Sequence, residues 1–280
     1  MNKRTLKIAP AICWLAVFFA ACSQDGDPGG VENSLITFHA QIGDRQTRST
    51  AGSNSWNGGE QVQVGIDNEA AVTFTAAANG TLTPVDPLYW QSASQSISAR
   101  AWYPASWTMQ ADQQRAENFQ KADFIFATVT RITAANCADN PFVFRHQTAK
   151  VTANLTAGTG ISAGDLTSAT VSFYGYTSGS ADTGNGSLSG SVNGWIIPLR
   201  SGNTCTALLI PQDMTGVDFI CVTISSNSYY YKPAANEANL EGGKSYTYDI
   251  TVKNGDAAVT SGGVALWTRT EGVAETAAVD

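Results

Sequence analysis

Ile36-Thr37-Phe38-His39-Ala40-Gln41-Ile42 sets Ile36, Phe38, Ala40 and Ile42 on one side of an extended chain and Thr37, His39 and Gln41 on the other. A period of two belongs to a strand, because successive side chains leave opposite faces, so this stretch reads as half-buried β-structure. The pattern recurs downstream. Val62, Val64 and Ile66 alternate with glutamines and Gly65; Ile97, Ala99, Ala101 and Tyr103 run in step up to Pro104; Phe124 to Val129 is a more continuous apolar strand. Gly, Asn, Asp and Pro bound these runs, as turn residues do. Only the segment around Ala111 to Gln120 has room for a helical turn or two.

A second series begins at Phe142, where Phe142, Phe144 and His146 share a face and Val151, Ala153 and Leu155 continue after a register change. Further strands are expected at 169–176, 194–199, 204–210, 217–225 and 246–252, and the Pro211-to-Gly216 loop is expected to join two paired strands. Two groups of about six strands, meeting near Asn140 and Pro141, predict an all-β chain of two β-sandwiches in tandem. The boundaries are 49–141 for the first and 142–256 for the second, with a tail at 257–280.

The first residues have another logic. Lys3, Arg4 and Lys7 precede an apolar run from Ile8 to Ala21, the layout of a secretory signal and too short to span a bilayer comfortably. Small residues then precede a cysteine in Phe19-Ala20-Ala21-Cys22, so 1–21 reads as a lipoprotein signal and Cys22 as the acylated residue. The polar stretch from Ser23 has too little apolar area to order itself and reads as a tether. Losing 1–21 removes three basic groups and no acidic ones, so 16 Lys+Arg and 23 Asp+Glu become 13 and 23, a net charge of −10. Such a chain repels nucleic acid and anionic membranes, and its membrane attachment must come from the lipid.

The chemistry-bearing residues are sparse. Cys137, Cys205 and Cys221 remain in the mature body, an odd number with no C-x-x-C pair, which argues against a disulfide framework or a zinc site. Cys205 and Cys221 lie on neighbouring expected strands, and buried free thiols are favoured over a bridge. His39 and His146 fall in separate strands without metal spacing, and no G-x-S-x-G elbow, phosphate-binding loop or dinucleotide fingerprint occurs. No catalytic residue, no metal and no cofactor is therefore assigned. Most of the tryptophans read as packing; Trp102 and Trp107, flanking Tyr103-Pro104, are the pair that best suits stacking on a ligand such as a sugar ring.

Several blocks together resemble one family. Trp56-Asn57-Gly58-Gly59-Glu60-Gln61-Val62 with Val64-Gly65-Ile66 is similar to the early pattern of fimbrillin-family proteins of Bacteroides-type bacteria, with Glu60 where Asp is more usual. Ala101-Trp102-Tyr103-Pro104, Ala122 to Ala127, Phe144 to Val151, Leu209-Ile210-Pro211-Gln212 and Gly243-Lys244-Ser245-Tyr246 resemble its later blocks, with Thr148 where Leu is common. The resemblance implies two transthyretin-like sandwiches, lipoprotein export and assembly into surface fimbriae. It also implies that 22–48 is a tether with a propeptide-like first strand, trimmed after Arg48 in Thr47-Arg48-Ser49, with Arg45 as a substitute site.

These readings converge on a fimbrial subunit or accessory pilin, lipid-anchored as a precursor at the outer membrane, that assembles on the cell surface by β-strand addition and supports adhesion. Its expected partners are other fimbrial subunits and, beyond them, host or bacterial surface glycans or proteins. In the tail, Val264, Leu266 and Trp267 are candidates for a strand donated to the next subunit, with docking on their own domain as the alternative. A surface glycan-binding lipoprotein on the same sandwiches is the competing function.

Overall fold

The computed structural model describes residues 34–43, 55–67, 69–254 and 256–266. The alternation at 36–42 becomes β1 (Phe38–Ile42), with Ile36, Phe38 and Ala40 buried and Thr37 and His39 exposed. It is followed by β2 (Gln61–Ile66), β3 (Val72–Ala76), β4 (Thr81–Pro84), β5 (Ile97–Tyr103), β6 (Ile125–Ile132) and β7 (Phe142–His146). In place of a two-sheet sandwich, these seven strands close into one barrel in the order β1-β4-β3-β2-β5-β6-β7. The cause is β1, which serves two edges at once. It runs antiparallel to β4 through Phe38 and His39, then parallel to β7 from Ala40 to Ile42. Each edge would otherwise expose a row of unpaired backbone groups.

β7 belongs to this barrel, so the boundary read at 141/142 falls one strand early and the chain leaves the barrel between His146 and Ala149. The second unit contains β8 (Ala149–Ala157), β9 (Thr170–Ala181), β10 (Leu188–Ile196), β11 (Leu199–Ser201), β12 (Thr204–Leu209), β13 (Ile220–Ile224), β14 (Asn227–Tyr231), β15 (Lys244–Lys253) and β16 (Asp256–Leu266). They form two sheets, β10-β9-β13-β14 and β11-β12-β8-β15-β16, over a shared core that includes Val151, Phe173, Leu209, Phe219, Ile220, Tyr248 and Ile250.

The loop at 211–216 does not close a hairpin. β12 pairs with β8 and β11 while β13 pairs with β9 and β14, so the loop crosses from one sheet to the other. Met214 is buried within it and Asp213 bridges to Asn239, which anchors the crossing to the far side. Among the described residues helical turns are α1 (Ala116–Lys121), which overlaps the expected stretch and ends one residue past it, and two that the expectation of a single helical place did not include, α2 (Ala163–Ser168) and a 3-10 turn at Cys137–Asp139. α2 carries a capping box, Ser162 with Asp165, a signal legible in Ser-x-x-Asp.

A third apolar cluster joins the units. Trp102, Trp107, Met109, Phe124 and Phe126 of the first meet Leu208 and Ile210 of the second. Gln113 crosses the same boundary, its amide donating to the Leu208 carbonyl at 2.8 Å and its carbonyl accepting from the Leu208 amide at 2.8 Å.

Candidate functional site

The element that carries the most distinctive chemistry is the first strand. Phe38 packs its ring against Phe74 and Phe142 at centroid distances of 5.6 and 5.0 Å in the barrel core. The backbone is held along its whole length. Trp90 N–H donates to Ser34 O at 3.0 Å, Ile36 N–H to Leu88 O at 2.7 Å, Ala40 N–H to Gly80 O at 2.8 Å and Gly43 N–H to Phe144 O at 2.9 Å. The Cys137 thiol donates to Thr37 O, and burial pushes that thiol up to about 11.

The Trp56-to-Val62 block is the clamp on this strand. Gly58 and Gly59 adopt left-handed φ of 96° and 97°, a region closed to most side chains, and so form a tight turn. The Glu60 carboxylate accepts from the Asn57 and Gly58 amides at 2.7 and 2.9 Å, which satisfies the turn's backbone. The turn delivers buried Trp56, whose indole N–H donates to Ala40 O at 3.3 Å and whose ring meets Phe144 and Tyr103 edge-on. Burial and then the Glu60 charge push the Tyr103 phenol above its usual value.

β7 depends on β1. Its ladder with β6 has only two pairs, Ile125 with His146 and Phe126 with Arg145, whereas three residues of β1 pair with it. Beyond those two pairs β6 and β7 part around a cleft of about 390 Å³ lined by residues such as Thr128, Thr130, Asn140 and Val143. Where β7 leaves the barrel, His146 Nδ1 lies 2.8 and 3.0 Å from the two Asp123 carboxylate oxygens, and the Thr148 hydroxyl donates to Asp123 at 3.2 Å. Thr148, fully buried, therefore has a polar partner where a Leu would have none. Burial holds the nearby Lys150 ammonium below its usual value, with the Asp123 charge opposing.

The sequence-assigned residues distribute as follows. Cys22, Arg45, Arg48 and Trp267 lie outside the described residues. Arg45 and Arg48 fall between Gly43, at the end of β1, and Ser55, just before the clamp. Trp102 and Trp107 are 6 % and 7 % exposed in the cluster between the units, and the Trp107 N–H donates to Ala122 O at 2.9 Å. Their rings are committed to packing and leave no open face for a sugar. Val264 and Leu266 sit in β16, opposite Tyr246 and Lys244 of β15, at the edge of the five-stranded sheet. Cys137, Cys205 and Cys221 are free and buried; Cys205 faces the shared core of the sandwich whereas Cys221, in register with Ser172 and Tyr230, lies on the outer face of the other sheet, so the two do not meet. Among the described residues no cluster of three or more His, Cys, Asp or Glu is arranged to hold a metal, and no helix is long and apolar enough to cross a membrane.

The cradle around β1 was missed as a unit by sequence reading. Its Trp, paired glycines and Glu were noticed, but their target is a carbonyl sixteen residues upstream.

Several solved structures share the fold. A cell adhesion protein assigned as putative, from Bacteroides uniformis, is 18% identical with a TM-score of 0.66, over 84% of this chain and 98% of that one. A similarly described protein from Bacteroides ovatus is 17% identical with a TM-score of 0.63, over 86% and 100%. The tip fimbrial protein Mfa3 from Porphyromonas gingivalis, C-terminally truncated, is 10% identical with a TM-score of 0.52, over 84% and 100%. No curated protein matches. The sequence profile described as Fimbrillin-like matches residues 41–267, most of the chain, and the protein belongs to that family.

Proposed function

We propose that this protein is a fimbrial subunit or accessory pilin, held as a precursor at the outer membrane through acylated Cys22, that assembles on the cell surface by strand addition and supports adhesion. The observation that carries the reading is the place of β1 in both sequence and barrel. β1 lies between Cys22 and Arg45/Arg48 in the chain, so a cut after either arginine separates lipid anchor and first strand together from the body. From then on β1 is held by non-covalent contacts alone. Its departure unpairs the edges of β4 and β7 and uncovers the row that Ile36, Phe38 and Ala40 had filled. An extended segment of another subunit fits such a groove, with backbone hydrogen bonds supplying affinity and alternate side chains supplying register.

The segment offered in return is β16, an edge strand with one ladder partner, carrying Val264 and Leu266. Its partners are other subunits of the same fimbrium. No cofactor and no catalytic residue enters this scheme. The test is the N-terminal residue of the protein recovered from the cell surface: Ser49 is expected for assembled subunits and acylated Cys22 for the precursor. Normal assembly by a chain carrying Arg45→Ala and Arg48→Ala would overturn the trimming step.

A further inference from the structure

We propose that the outer face of the four-stranded sheet is a binding site for a neutral pyranose residue of a surface glycan, with Trp195 as its stacking platform. The register places five side chains on that face. Trp195 is opposite Tyr174, and Ser172, Cys221 and Tyr230 form one row across β9, β13 and β14. β10 and β14 are three strand spacings apart, about 14 Å, yet the Trp195 and Tyr230 ring centroids are 6.2 Å apart. The two rings therefore lean toward each other over the small side chains of Ser172 and Cys221. Cys221 points outward and is still only 8 % exposed, as a residue roofed by rings must be.

Tyr174 buttresses the indole at 5.2 Å with its plane at 70°. Trp195 keeps 40 % and Tyr230 47 % of their surface in solvent. Desolvating aromatic surface is favourable, so rings held open in this way need a ligand or a reason.

The surroundings choose among ligands. Thr223 and Ser228 join hydroxyls at 2.9 Å beside the rings; Lys232 and Asp218, past the ends of the same two strands, pair with each other at 3.3 Å, and exposed Asp112, bridged to Ile197 at the β10 edge, accepts from the Gln114 N–H. A face of aromatic rings framed by hydroxyls, with one carboxylate at its margin to accept from a hydroxyl, matches a neutral sugar, whose C–H face stacks and whose hydroxyl rim exchanges hydrogen bonds. A protein partner is the poorer fit. The exposed rings with Ile197 and Val192 form a patch of roughly a few hundred Å², against about 800 Å² per partner in a stable complex. The site does not involve β1 or β16, so it stands or falls independently of strand addition.

Affinity electrophoresis of the full chain through gels holding dextran, galactomannan or xyloglucan tests the proposal. At least one of these polysaccharides is expected to retard the protein. Trp195→Ala should weaken that retardation roughly tenfold or more and Tyr230→Ala should weaken it less, with both variants still unfolding cooperatively because neither ring belongs to a buried core cluster. Passage unretarded through all three gels, equal retardation of the Trp195→Ala variant, or sedimentation showing self-association that requires Trp195 would each overturn it.

Discussion

Two groups hold the Ala40 backbone in place: Gly80 O accepts its N–H, and the Trp56 indole donates to its carbonyl. Gly80 has φ of 85°, and a Cβ there would press into the Ala40 carbonyl oxygen. Gly80→Ala should therefore cost more than about 1 kcal/mol and loosen β1 in particular. Cys137 supplies the readout, since its thiol is buried against Thr37 O. In the native chain iodoacetamide at pH 8 is expected to leave Cys137 unmodified, and Gly80→Ala or loss of β1 should open it to alkylation, read by peptide mass mapping. The same thiol makes a pH prediction. Burial raises it from 9.0 to about 11, so the folded state keeps a proton that the unfolded chain sheds first. Stability is thus full below about pH 9 and falls as pH climbs toward 11. Cys205 is raised by burial as well, so Cys137→Ala should make the alkaline decline in urea midpoints shallower without abolishing it.

At the scale of elements, β1 and β16 are the first and last strands of the described residues, β1 closing the barrel and β16 at the edge of the five-stranded sheet. Phe38 is fully enclosed by Phe74 and Phe142, so Phe38→Ala should cost about 3–5 kcal/mol in the uncut protein. Once the chain is cut after Arg48 and β1 has left, the same substitution should change nothing in the body, and the contrast between the two melting shifts measures whether departure occurs. β16 makes ten ladder pairs with β15 yet closes neither sheet. Deleting 256–280 is expected to abolish self-association while β8, β12 and β15 still form a folded sheet; an unfolded monomer would show instead that the tail belongs to the sandwich. The strand pattern of both elements was readable, because alternation is local. Their partners were not, because pairing is chosen by edges far away in the chain.

For the molecule as a whole, the cluster around Trp107 decides whether the two units behave as one. Trp107→Ala removes a buried indole and orphans the Ala122 carbonyl, a loss of about 3–5 kcal/mol. Calorimetry should show one transition for the native chain and two for this variant, as the barrel and the sandwich uncouple. This junction also explains why Trp102 and Trp107 misled a sequence reading. Paired aromatics beside a proline look alike whether they face solvent or a neighbouring unit, and only the fold separates them from Trp195, which stands exposed on a strand face. By itself the sequence determined the all-β class, the inward side of the stretches at 36–42, 62–66, 97–103, 142–146 and 151–155, and the membership of a fimbrial family, since each follows from local periodicity or from blocks of adjacent residues. The tertiary structure alone decided that seven strands close into a barrel, that β7 lies on its near side and that β1 is the piece completing it. Those outcomes depend on which unpaired edges meet, a non-local competition among backbone hydrogen bonds and buried faces that no window of residues contains.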